Sequence, residues 1–203
     1  MRTAVRWGAV LLAFGLGGCA FTPEKIDIAY APTVGAAAVP GADKIKLDVT
    51  VNDVRTNKDR VGSKSNGYGA ELAPISTNQD IVVLVHDALQ NELAMRGYQV
   101  GTGGVHVMCS IFDFANKFRT GFWSGTAEAS VRLQVKIRNE AGNTVFDETV
   151  TGQGTEEHIQ VAAGRNAKPA LEKALHDAMV SLMARQDFHQ ALLRAGATET
   201  ASK

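Results

Sequence analysis

The sequence lacks cysteine in number, excess charge of either sign, and any long hydrophobic run. Cys19 and Cys109 are its only 2 cysteines in 203 residues, too few for a disulfide framework or a four-ligand zinc site. Lys and Arg total 21, as do Asp and Glu, so the formal net charge is zero. Without a dense basic surface to displace counterions, sequence-independent nucleic-acid binding is not expected. The apolar run Trp7 to Leu16 is about half the ~20 residues that span a bilayer as a helix. No repeats or heptads are present, and the 20 glycines and 5 prolines follow no triplet period, which excludes collagen. What the chain does have is 45% apolar residues, enough for a packed core.

Its first residues read as an address. Arg2 and Arg6 precede the apolar run, which leads into Gly17-Gly18-Cys19. A positive start, a short apolar stretch and small residues before a cut site are the parts of an export signal. Leu16-Gly17-Gly18-Cys19 resembles a bacterial lipobox, with Gly17 where Ala or Ser is more usual. That resemblance implies a diacylglycerol on the Cys19 thiol, cleavage of residues 1–18, and acylation of the new amine. The alternative is an ordinary signal peptide that happens to contain a cysteine. One acyl chain binds a membrane only marginally, each methylene contributing ~0.8 kcal/mol, so several chains on one residue make a lasting anchor. Position 20 is Ala rather than Asp, and by resemblance to the enteric sorting rule this implies the outer membrane, facing the periplasm. The mature chain keeps 19 basic and 21 acidic residues, so its average charge does not steer it to phosphate.

Residues 19–42, with Pro23, Pro32, Gly35, Pro40 and Gly41, read as a flexible lipid-anchored tether. Fully extended it would reach ~80 Å. Residues 43–194 read as one globular domain and 195–203 as a flexible tail. Ile45, Leu47, Val49 and Val51 alternate with polar residues, which predicts a half-buried strand. Residues 56–76 are polar and glycine-rich, and read as a long loop, functional or mobile. Val82, Val85, Leu89 and Leu93 mark a helix capped by Thr77 or Asn78 and stopped at Arg96-Gly97-Tyr98. Val105 to Phe118 and Thr126 to Arg138 alternate as strands, and residues 139–143 form a turn into Thr144 to Thr151. Pro169 opens a second helix at no hydrogen-bond cost, with Leu171, Leu175, Ala178 and Leu182 as its stripe. The order β-α-β-β-β-α predicts an α+β fold of two layers, a mostly antiparallel sheet with both helices on one face.

The lipobox, the strand from Val49 to Arg55, the loop Asn66-Gly67-Tyr68-Gly69 and the helix end Met95-Arg96-Gly97-Tyr98 form an ordered set. On that set the chain resembles the YajG-like lipoproteins of Gram-negative bacteria, over nearly its whole length. The resemblance implies an envelope lipoprotein and brings no catalytic residues with it.

Chemistry read from the residues is sparse. Gly62-Ser63-Lys64-Ser65 lacks the glycine spacing of a nucleotide loop. His86, His106, His158, His176 and His189 include no pair at i, i+4. Glu172 and His176 share a helix face and read as a solvated ion pair; Glu156, Glu157 and His158 alternate sides of a strand. Cys109 sits between Val107 and Ile111 on an apolar face and reads as a buried free thiol. Met179 and Met183 read as core. The most suggestive surface is the hairpin bearing Phe118, Arg119, Phe122 and Trp123, where aromatics mix with cations as in an interaction patch; its alternative is cross-strand packing. No catalytic, cofactor or metal set is expected. The expectation is a lipid-anchored, non-catalytic binding or scaffolding domain, its partner an envelope protein, glycan or lipid. Two alternatives stand: an accessory subunit of an envelope transport or assembly complex, and an envelope hydrolase, which needs residues 56–76 to meet titratable groups in a cleft.

Overall fold

A computed structural model describes residues 21–120 and 124–200. Its class is α+β, as the patterning predicts, with more elements than expected. Strands β1 (Glu24–Ile26), β4 (Glu71–Thr77) and β3 (Gly62–Ser65) form a small sheet in the order β1-β4-β3. Strands β2 (Lys46–Asp53), β5 (Gln99–Val100), β6 (Val105–Thr120), β7 (Gly125–Arg138) and β8 (Thr144–Ile159) form a curled half-barrel ordered β5-β2-β6-β7-β8. The helices are α1 (Ile81–Met95), α2 (Gly164–Met183) and α3 (Gln186–Thr200).

The antiparallel prediction holds for β6-β7-β8, but β2 runs parallel to both β5 and β6, and β1 parallel to β4. Both sheets are therefore mixed. Strand β7 shows why the large sheet is half-wet: Ala127, Ala129, Val131, Leu133, Val135 and Ile137 are buried and Arg132 and Arg138 exposed. The buried row packs against helix residues including Leu89, Leu93, Leu171, Leu175, Met179, Phe188 and Leu192 in one core. Cys109, Met179 and Met183 all belong to it, as expected.

Several sequence expectations are corrected. Residues 56–76 are not a structureless loop, because β3 and β4 pair as a hairpin there. Asn66 makes its turn, accepting hydrogen bonds from the N–H groups of Tyr68 and Ala70, both at 3.0 Å, while Gly69 takes φ +81. Residues 21–42 of the expected tether lie on the domain: Ile26, Ile28 and Ala42 are buried and the Val39 N–H donates to the Arg96 carbonyl. The expected tail is helical through Thr200, with Ala195 buried. The cap of α1 is Asp80, whose carboxylate accepts from the Val82 N–H at 2.7 Å. Pro169 lies inside α2, where it forgoes one backbone hydrogen bond. Gly97 ends α1 at φ +96 as predicted.

Candidate functional site

Of the predicted interaction surface, Phe118 and Arg119 occupy the last turnward residues of β6. Phe118 is half-buried and packs against the core. Arg119 is exposed and pairs with Glu128 on β7 at 2.7 Å. Phe122, Trp123 and the predicted lipid site Cys19 lie outside the described residues. The Phe118 side chain is thus partly covered by the core, opposite Ala127 on β7, and Arg119 remains in solvent.

Adjacent to it lies a groove that sequence reading missed. Strand β6 outruns β2: their ladder ends at Asp53 and Ile111, just before a bulge between Ile111 and Asp113. Beyond that point the chain turns off at Arg55 and returns as β3. The buried Arg55 guanidinium pins this departure. It donates to the Asp53 carboxylate at 2.8 to 3.1 Å, to the Phe114 carbonyl at 3.2 Å and to the Arg60 carbonyl at 3.3 Å. Burial opposes ionisation of Asp53, but the Arg55 bonds outweigh it and hold the carboxyl below its usual range.

The resulting groove encloses about 490 Å³, and Arg60, Glu71, Phe112, Asp113, Asn116 and Lys117 contribute to its walls. Phe112 is 45% exposed, with the Arg132 guanidinium 6.0 Å from its ring centre, a cation–π arrangement. Arg60 donates to Glu71 at 2.9 Å; that bond, helped by Ser63, lowers the Glu71 pKa and keeps the carboxylate charged. Asn116 is buried beneath β3, its N–H donating to the Val61 carbonyl and its side-chain amide to the Glu128 carbonyl. Its Oδ1, like Ser65 Oγ, finds no partner among the described residues. The groove therefore offers one aromatic face, fixed charges of both signs and hydrogen-bonding groups, a surface suited to holding a polar ligand or chain. A long β6 beside a short β2 was the available signal.

The remaining predicted groups are dispersed. Cys109 is fully buried, and desolvation pushes its thiol up to about 12. Glu172 and His176 do not form the expected pair: Glu172 accepts from the Ala29 N–H at 2.8 Å and lies 3.7 Å from Lys168, while the His176 ring stands 6.2 Å from Tyr30. Glu156 pairs with Lys173 at 2.8 Å. Among the described residues no three His, Cys, Asp or Glu side chains converge as metal ligands.

Comparison with known proteins adds a family. The fold is similar to that of a Xanthomonas campestris protein solved by crystallography, with TM-score 0.57 and 16% identity over 85% of this chain and 98% of that one. A Helicobacter pylori homolog of a neuraminyllactose-binding hemagglutinin matches at TM-score 0.50 and 7% identity, over 82% of this chain and 99% of that one. A minor lipoprotein from Acinetobacter baumannii matches more loosely, at TM-score 0.45 and 9% identity over 71% and 92%. At these identities the first two likenesses establish fold alone. No curated protein matches significantly in sequence. The profile of an uncharacterized lipoprotein family, however, matches residues 32–193, which takes in the half-barrel, the groove and about half of α3. The chain belongs to that family of uncharacterized lipoproteins, the YajG-like group its ordered motifs resemble.

Proposed function

We propose that this protein is an outer-membrane lipoprotein, anchored through acylated Cys19 and facing the periplasm, whose domain is a non-catalytic binding module. The groove beside β6 carries the binding reading. Phe112 is an exposed ring with the Arg132 guanidinium 6.0 Å from its centre, and the buried Arg55 ties the neighbouring backbone through the Phe114 carbonyl. The lipobox and Ala20 support the anchoring and its membrane. The hydrolase alternative gains a cleft but little chemistry. Arg60 keeps Glu71 ionised, whereas a general acid needs a carboxyl pKa raised toward neutrality.

In-cell photocrosslinking from position 112, followed by mass spectrometry, tests the binding reading. One dominant envelope partner, lost on Arg55→Ala, is the expected outcome; crosslinks spread over abundant proteins would end it. A partner from a membrane transport complex would support the accessory-subunit alternative. Anchoring is tested separately. Globomycin should accumulate a heavier precursor, and Cys19→Ser should stop palmitate labelling. Recovery of the wild-type protein mainly in the inner membrane would refute the outer-membrane placement.

A further inference from the structure

Strand β1 starts at Glu24, only five residues after Cys19. Five residues span at most about 17 Å. An acylated Cys19 lies at headgroup depth, so whichever end of the domain carries Glu24 must stay near the bilayer. The contacts of Glu24 identify that end. Its carboxylate meets Lys64 on β3 at 3.2 Å and the backbone of Gly164 at the start of α2. Gly164 follows closely on β8, whose last residue, Ile159, pairs with Gly125 at the start of β7. Gly125 in turn pairs with Thr120 at the end of β6.

The β3–β4 turn projects the same way. Glu24 pairs with Ile75 and Ile26 with Thr77, so residues of β4 before Ile75 extend past the start of β1. Four features are thereby gathered at one end of the molecule: the N-terminal entry, the β3–β4 turn, the β6–β7 end and the β8–α2 junction.

The side chains there suit a headgroup layer. Tyr68, at the β3–β4 tip, is 98% exposed, Phe21 is 67% exposed and Val161 is 52% exposed. Lys25, Lys117, Arg119 and Arg165 are exposed around them. Tyrosine at a membrane–water boundary keeps its ring among acyl chain ends and its hydroxyl in water, and basic side chains are drawn to anionic headgroups. Among the acidic neighbours, Glu24 faces Lys64 and Arg165, Glu128 pairs with Arg119 and Glu156 with Lys173, while Glu157 near the end of β8 is exposed. The turn at residues 139–143 follows Arg138 at the opposite end of β7, which lies 13 residues from Gly125 and hence up to roughly 43 Å along the strand.

We infer that the domain docks end-on against the phospholipid surface that holds its anchor, through Tyr68, Phe21, Val161 and the basic residues around them. The inference rests on the lipoprotein reading above and adds an orientation and a lipid-binding surface to it. It leaves the far turn in the periplasm.

The test uses the full acylated protein in vesicles of phosphatidylethanolamine and phosphatidylglycerol that carry a lipid-borne spin-label quencher. Fluorophores are attached through Tyr68→Cys, Val161→Cys or Ala141→Cys, with buried Cys109 left in place. Quenching at 68 and 161 should exceed that at 141 several-fold. Equal quenching, or more at 141, would overturn the proposal. Intact mass is read first, because a protein without acyl mass refutes the anchoring rather than the orientation. A 20-residue Gly-Ser linker inserted between Ala20 and Phe21 then separates docking from mere tethering. A gradient that survives the linker supports a lipid-binding surface; one that vanishes overturns it.

Discussion

Glu92 has no water to face. Its carboxylate, on the buried side of α1, accepts hydrogen bonds from the Tyr30 hydroxyl, from the Thr33 N–H at 2.8 Å and from Arg96. Burial opposes its ionisation, but these donors outweigh burial and hold the carboxyl below its usual range. The folded state therefore binds this proton less readily than the unfolded chain. Its stabilising contribution is complete above the unfolded value of about 4.3 and is lost as pH falls through the lower folded value. Denaturant midpoints between pH 7 and pH 3 should fall more steeply for wild type than for Glu92→Gln. Glu92→Ala, which strands a buried Arg96, should cost about 3–5 kcal/mol. Unchanged midpoints would mean the cluster is solvated. Cys109 makes a second prediction at this scale. With its thiol buried and pushed up to about 12, it should resist alkylation in the native protein and react fully on unfolding. Rapid native labelling would contradict the packing of β6.

At the next scale, the contact between β8 and α2 is made by the absence of side chains. A Cβ on Gly154 would lie 2.0 Å from the Ala170 carbonyl oxygen, and one on Gly152 would lie 2.1 Å from that of Ala174. Both obstacles are helix backbone, so Gly154→Ala must lift α2 from the sheet. Overpacking of this kind costs about 1–3 kcal/mol, occasionally more, and thermal melting should show it. Gly67→Ala is the control: it meets no atom within 4 Å and should shift the melt little. How much of the architecture the sequence displayed follows from similar local facts. Strand β7 was legible because six inward residues alternate without interruption, and α1 because its stripe ends in a glycine stop. Strands β1 and β3 have three and four residues, too few to display a period. Parallel pairing of β2 leaves no local mark, since its partner Val105 lies far along the chain. Helix α3 did carry a stripe, Phe188, Leu192 and Ala195, all buried, yet small polar residues after it read as a tail. The groove arises from unequal lengths of neighbouring strands, a property of pairing rather than of any one segment.

For the whole molecule, the decisive question is whether residues 21–42 are leash or fold. Prolines and glycines there suggest a leash, and composition alone cannot show that Ile26, Ile28 and Tyr30 alternate onto a surface made by distant elements. In the structure, Ile28 is 3% exposed, and the segment crosses from α2 to α1 through the Ala29–Glu172 and Thr33–Glu92 bonds. A leash could be cut without thermodynamic effect. A strap cannot: Ile→Ala at a buried site costs about 2–5 kcal/mol, against a total stability of roughly 5–15 kcal/mol. Ile28→Ala should therefore lower the melting temperature by roughly 4–20 °C, at ~2–4 °C per kcal/mol for a chain of this size. Deleting residues 22–40 should abolish cooperative melting or bring it near ambient temperature. Inserting a flexible linker between Ala20 and Phe21 changes no described contact and should leave the melt where it was. If the deletion melts like the intact protein, the strap is dispensable. The short path from Cys19 to the domain, and with it the end-on seat at the membrane, would then lose its structural basis.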